Sequence, residues 1–234
     1  MGDSKPTQHK EIICDDDMLA LREYFSAAES NPIILRQFVW FCIAYHFVTR
    51  GSETHHQLTP SSFAFRDDGH GEYAVLVHET AQKNHQGGLL DKEENVGKSM
   101  YATGGILCPV KCLKLLIEKT DATASKLFNQ YNSEAVQLPV STEIWFTAKS
   151  LAKRSFANFM SDISNSAKTS QRYTNHCVRA TANQTLNDAN VEARHIMFLS
   201  DHANEGSLRS YNRTVSREQK KMLSSTLSKA FSGE

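Results

Sequence analysis

The 234 residues, 40% hydrophobic and 22% charged, suit one large soluble domain or two small ones and exclude a disordered or fibrous chain. Lysines plus arginines and aspartates plus glutamates number 26 each, so the formal net charge is zero, which taken alone argues against nucleic acid. The distribution reverses that argument. Residues 1–148 hold 13 basic against 19 acidic groups and residues 149–234 hold 13 against 7, so the C-terminal part can attract a polyanion locally. The five cysteines (Cys14, Cys42, Cys108, Cys112 and Cys177) are odd in number and no secretory signal precedes them, which predicts reduced intracellular thiols.

Along the chain, residues 1–14 are polar, aperiodic and carry Pro6, and are expected to be a flexible leader. Asp15-Asp16-Asp17 can cap a short helix bearing Met18, Leu21, Tyr24 and Phe25 on one side. Asn31-Pro32 starts the next helix, Asn as cap and Pro at the first position. That helix, Ile33 to Val48, is apolar nearly all round and is expected at the centre of the core, ending at Arg50-Gly51 with the glycine left-handed. The run is too short to span a membrane, which takes about 18–20 apolar residues, and it contains Arg36, Gln37 and His46.

From Phe63 to Gly88 the pattern changes to strands. Phe63-Ala64-Phe65 and Tyr73-Ala74-Val75-Leu76-Val77 flank the turn Asp67-Asp68-Gly69-His70-Gly71, and Gln86-Gly87-Gly88 marks a second turn, so a small antiparallel sheet of about three strands is expected. Residues 89–104 read as loop, Pro109 to Lys119 as helix, 120–141 as irregular, and Ile144-Trp145-Phe146 as a short apolar piece. Phe156, Phe159, Met160, Ile163 and Ala167 follow helical spacing, and further helices are expected from Thr174 to Leu186 and Val191 to Leu199. The last stretch, Val215 to Phe231, puts Val215, Met222, Leu223, Leu227 and Phe231 on one stripe. The fold class is α+β, mainly helical.

Chemistry concentrates in four fragments: Thr49-Arg50-Gly51-Ser52-Glu53, Thr174-Asn175-His176-Cys177-Val178-Arg179, Leu199-Ser200-Asp201-His202 and Ser207-Leu208-Arg209-Ser210-Tyr211. His176 and Arg179 are one turn apart at the start of a helix, where a phosphate is favoured. Arg50 can fork onto two phosphate oxygens, with Glu53 to orient it. Tyr211 is the candidate nucleophile, and its phenol needs a base and nearby positive charge to lose its proton. Cys108 and Cys112 with His55, His56 and His85 lack a second half-site of zinc spacing, and the chain has neither a Walker-type phosphate loop nor a Gly-x-Ser-x-Gly elbow.

In this order and spacing Arg50, His176, Arg179, His202 and Tyr211 resemble the tyrosine recombinases, the phage-integrase family. Lys83-Asn84-His85-Gln86-Gly87-Gly88, Met100-Tyr101-Ala102-Thr103-Gly104 and Tyr173 to Thr181 look like the eukaryotic Crypton branch of mobile elements, whose host derivatives include the C-terminal domains of zinc-finger MYM-type and glutamine-rich proteins. The resemblance covers about Asp16 to Arg213 and implies the integrase catalytic-domain fold over residues 15–213. It also implies an absent N-terminal core-binding domain, and a C-terminal amphipathic helix over 214–234 that docks on its own core or on a neighbouring subunit.

The resemblance further implies DNA strand cleavage and rejoining through a 3′-phosphotyrosyl link, without metal or nucleotide cofactor. Tyr211 is then the nucleophile and Arg50 and Arg179 the phosphate clamp. His176 acts as base or phosphate donor and His202 as phosphate donor. Lys83 protonates the leaving 5′-oxygen, with Lys92 and Lys98 as weaker rivals. The implied partners are double-stranded DNA and further copies of the chain, and the implied compartment is the nucleus. Asp201 departs from the family, which has Gly there, and sets a carboxylate beside the phosphate site. The alternative reading is a domesticated DNA- or chromatin-binding module that keeps the fold without turnover.

Overall fold

In the computed structural model, the structure describes residues 11–49, 51–79, 88–89, 97–201, 221 and 224–225. Helix α1 spans Asp15–Phe25, α2 Pro32–His46 and α3 Gly51–Gln57. The cap of α1 is Cys14, so the three aspartates occupy its first turn rather than the cap, where their charge meets the positive end of the helix. Of the three, Asp17 turns inward and is 4% exposed.

Helix α2 starts as its sequence dictates. Asn31 Oδ1 accepts from the N–H groups of Ile33 (2.9 Å) and Ile34 (3.2 Å), and Pro32 takes the first turn, where no hydrogen bond is lost. Replacing Asn31 by Ala is expected to destabilise the fold by about 1 kcal/mol, read as a lower urea midpoint with an unchanged slope. The helix is central: Leu35, Val39, Trp40 and Ile43 are essentially fully buried. Two of its polar residues are held in place: Arg36 donates to the Asn129 carbonyl at 2.7 Å and lies 3.5 Å from the centre of the Tyr131 ring, while Gln37 accepts from the Tyr24 hydroxyl at 2.6 Å.

The end of α2 differs from expectation. The helix stops at His46, Val48 takes the left-handed turn with φ of 48°, and Gly51 opens α3. Phe47 and Val48 are both buried, so the chain turns where their side chains enter the core and packing overrides the preference for glycine.

Strands β1 (Phe63–Asp67) and β2 (Glu72–Leu76) pair antiparallel, Phe63 opposite Leu76 and Asp67 opposite Glu72, around a turn in which Gly69 and Gly71 have positive φ. His78–Glu79 (β3) and Gly88–Leu89 (β4) form a separate two-stranded ladder. The third strand of the main sheet is β5, Ser99–Tyr101, paired with β2 inside a stretch expected to be loop. Helix α4 spans Pro109–Glu118 as its pattern predicts. The supposedly irregular region contains β6 (Asn129–Tyr131) and α5 (Ser133–Gln137), and β7 (Phe146–Ser150) pairs with β6.

A 3₁₀ turn over Lys153–Asn158 leads into α6 (Phe159–Ala167), followed by α7 (Asn175–Asp188) and α8 (Ala193–Ser200). Helix α2 packs against α4, α6 and α7, and one continuous hydrophobic core joins them to the main sheet. Among the described residues, no helix is long and apolar enough to cross a membrane. The stripe Val215, Met222, Leu223, Leu227 and Phe231 lies outside the described residues.

Candidate functional site

The signature segment before and within α7 consists largely of anchors. Tyr173 is 1% exposed; its hydroxyl donates to Asp17 Oδ2 at 2.7 Å, its N–H donates to Ser164 Oγ at 3.1 Å and its carbonyl accepts from Ser161 Oγ at 3.0 Å. Burial first, and then donation to that carboxylate, push the phenol up to about 12. Asn175 ties the first turn of α7 to the start of α6, donating to the Phe156 carbonyl at 2.6 Å and accepting the Met160 N–H at 3.1 Å. Thr174 and Cys177 close a capping box through the cysteine sulfur, 3.4 Å from both the Thr174 N–H nitrogen and its hydroxyl. Thr181 Oγ1 donates to the Cys177 carbonyl at 2.7 Å and accepts the Ile13 N–H at 2.8 Å.

Two of the six candidate site residues are described. His176 is exposed on the first turn of α7. Arg179, one turn later, is only 9% exposed, and its guanidinium donates to the carbonyls of Val48 and Ser200. Val48 stands two residues before Arg50 in the chain, and Ser200 two before His202. One buried cation thus joins the α7 signature to the end of the α2 segment and to the end of α8. Arg50, Lys83, His202 and Tyr211 themselves lie outside the described residues.

The approaches to these points are buried and packed. Thr49 is buried, with its hydroxyl 3.5 Å from His55 Nε2, and the His55 ring packs on Trp40, Phe128 and Phe156. Ser200 is fully buried and its hydroxyl donates to the Ile196 carbonyl at 2.6 Å. Asp201 follows in the left-handed region, with φ of 51° and ψ of 35°. Glycine adopts that geometry without cost and aspartate with a modest one, so the departure from the family pattern is sterically accommodated.

Asp201 does not present a bare negative charge to its surroundings. Lys98, the residue before β5, donates to both of its carboxylate oxygens, at 2.8 and 2.7 Å, and the two side chains are only 11% and 13% exposed. The Lys98 carbonyl accepts the Leu76 N–H at 3.3 Å, so the lysine is tied to the sheet as well. Sequence reasoning gave Lys98 second rank and had no means of finding its carboxylate partner, or the carbonyls that hold Arg179. Among the described residues, no group of three or more His, Cys, Asp and Glu side chains is placed to hold a metal ion.

The fold matches that of the tyrosine-recombinase catalytic domain. The chain is similar to the crystal structure of XerA recombinase, with a TM-score of 0.55 at 12% identity, covering 97% of this chain and 66% of that one. It is also similar to XerH site-specific recombinase bound to palindromic difH substrate in a post-cleavage complex, with a TM-score of 0.60 at 14% identity, covering 97% and 55%. A third similar structure is the Tn1549 transposon integrase in complex with a circular intermediate DNA, with a TM-score of 0.55 at 11% identity, covering 96% and 67%. At such identities the likeness is one of fold, and the chain spans between about half and two thirds of the length of these proteins. No protein-family model matches the chain, and no curated protein matches it in sequence.

Proposed function

We propose that this protein cleaves and rejoins DNA strands through a covalent 3′-phosphotyrosyl intermediate, as a mobile-element-derived recombinase of the Crypton type acting in the nucleus. The observation that carries the reading is the buried Arg179 guanidinium, bonded to the carbonyl two residues before Arg50 and the carbonyl two residues before His202. That one side chain ties two of the four fragments that sequence reasoning set apart to each other and to the residue just before a third.

In this mechanism the Tyr211 hydroxyl attacks the scissile phosphorus as His176 takes its proton. Arg50, Arg179 and His202 stabilise the charge that gathers on the non-bridging oxygens, usually the largest single contribution to such catalysis. A lysine, Lys83 on the sequence reading, protonates the leaving 5′-oxygen. Rejoining reverses these steps with a new 5′-hydroxyl, and the phosphotyrosyl bond conserves the energy of the broken one. Copies of the chain assemble on DNA through the apolar stripe of residues 214–234. The alternative, a DNA- or chromatin-binding module without turnover, draws on the anchoring of Arg179 to backbone carbonyls, a role that folding alone would require.

The deciding experiment incubates the full chain with a duplex carrying a 5′-bridging phosphorothiolate, which traps the covalent complex, and maps any adduct by peptide mass. An adduct on Tyr211 supports the recombinase. DNA binding without an adduct selects the silent module. Binding itself is expected to weaken steeply as salt rises, since the basic C-terminal part contacts phosphates and releases counterions. An affinity indifferent to ionic strength would remove DNA from both readings.

A further inference from the structure

Independently of any action on DNA, we propose that Cys108 is a redox-reactive thiol: a hydroperoxide oxidises it to a sulfenic acid, and a neighbouring thiol, Cys112 or Cys42, then closes a disulfide with it. Three of the five cysteines meet where α2 packs on α4, all of them free and buried. Cys42 comes from the middle of α2, Cys108 caps α4, and Cys112 follows on α4 itself. The Cys112 N–H donates to the Cys108 carbonyl at 3.1 Å, which sets these two one helical turn apart. A disulfide bridges Cα separations of about 4.4–6.8 Å, a span that includes one such turn.

Cys42 and Cys112 taken alone would be packing residues. Burial first, and then the charges of Cys112 and Cys108, push the Cys42 thiol well up, while burial, Glu29 and Cys108 push Cys112 up to about 12. Cys108 differs from both. Its sulfur accepts the Thr103 N–H at 3.4 Å and its own N–H donates to the Gly105 carbonyl at 3.1 Å, so residues 103–107 fold over it, with Gly104 left-handed at φ of 72°. Burial alone would raise this thiol, but the N–H groups of Lys111, Thr103, Gly104 and Val110 directed at it outweigh burial and hold it below the ordinary thiol range. Two of those groups belong to the first turn of α4, where negative charge is favoured.

A small oxidant has a route to this cluster. Residues 103–106 are exposed. Beside them lies a cavity of about 400 Å³, open to solvent and lined by Phe25, Phe41, Cys42, Thr103, Leu107 and Pro109. It reaches one of the two partner thiols directly and both chain neighbours of Cys108.

The chemistry balances. The Cys108 thiolate attacks one oxygen of the hydroperoxide; an S–O bond forms, the O–O bond breaks, and the other oxygen leaves as an alcohol, or as water from hydrogen peroxide. The second thiol then attacks the Cys108 sulfur; the S–S bond forms, the S–O bond breaks, and hydroxide departs with that thiol's proton as water. Two thiols lose two electrons and one peroxide gains them.

The test treats the reduced full chain with hydrogen peroxide and maps its cysteines by peptide mass. Cys108 is expected to oxidise about 10-fold faster than the exposed Cys14 and to be recovered joined to Cys112 or Cys42, with dithiothreitol restoring all three thiols. In urea, where the helix end and the loop are gone, that preference is expected to vanish. The double variant Cys42→Ala/Cys112→Ala is expected to stop at the sulfenic acid, captured by a 1,3-diketone probe, and Cys108→Ala to form no disulfide. The wild-type map decides even where a variant fails to fold: oxidation of Cys14 or Cys177 ahead of Cys108 overturns the assignment. So does a preference for Cys108 that persists in urea, or a folded Cys108→Ala chain that joins Cys42 to Cys112 at the wild-type rate.

Discussion

Arg179→Ala is expected to slow strand cleavage by about 10³-fold, the upper range for losing one transition-state donor, and to destabilise the fold by about 3–5 kcal/mol. The two losses share a cause. On the proposed reading, removing the guanidinium takes a phosphate donor from the site; it also leaves the buried carbonyls of Val48 and Ser200 without it. Arg179→Lys separates the contributions, because a lysine keeps the charge but has no planar fork to bridge two carbonyls on different segments. It is expected to retain most of the salt-dependent DNA affinity and to lose most of the rate. Thermal denaturation alongside the adduct assay checks both; an Ala variant as stable as the wild type would show that Arg179 does not join the end of α2 to the end of α8.

The second large effect concerns Asp17. Burial alone would raise its carboxyl, but bonds from the Ser170 hydroxyl (2.6 Å), the Ser170 N–H (2.7 Å) and the Tyr173 hydroxyl (2.7 Å) outweigh it and hold the group at about 2. Asp17→Ala is expected to cost about 3 kcal/mol, since three donors lose a charged acceptor. The sign of the pH dependence follows from the lowered value. Between about 4 and 2 the unfolded chain binds the proton that the folded chain refuses, so the contribution is complete above about pH 4 and is lost as pH falls toward 2. Denaturant titrations of wild type and Asp17→Asn from pH 6 to pH 2.5 should therefore converge at the acid end. Parallel curves would mean that the carboxylate is not what holds the chain where it enters α7.

Local signals made much of this fold readable. Asn31-Pro32 announces α2, Asp-Asp-Gly marks the first hairpin, and apolar spacing finds α4, α6, α7 and α8. Short strands gave no such signal: Ser99–Tyr101 and Asn129–Tyr131 are three residues each and exist through the partners they pair with. Glycine enters left-handed geometry freely, which points to Gly51 for the turn after α2, whereas burial of Phe47 and Val48 fixes it earlier. At the site, the spacing of His176 and Arg179 could be read from sequence and the partners of Arg179 could not. They are main-chain carbonyls, which every residue possesses, so no letter marks them. Asp17 was one of three identical neighbours, and only the fold singles it out.

The anchoring of the α7 segment has a consequence for how such chains drift. Tyr173, Asn175, Cys177, Arg179 and Thr181 are each tied into packing or hydrogen bonds that the folded chain requires, whether or not it cuts anything. A lineage that had given up cleavage would go on selecting these letters for the sake of folding alone, and its signature would look intact. His176 is exposed on the same turn, and on the proposed reading it is the letter that only chemistry protects. Erosion of function in relatives of this chain should register there first, at a single position in an otherwise well-kept motif.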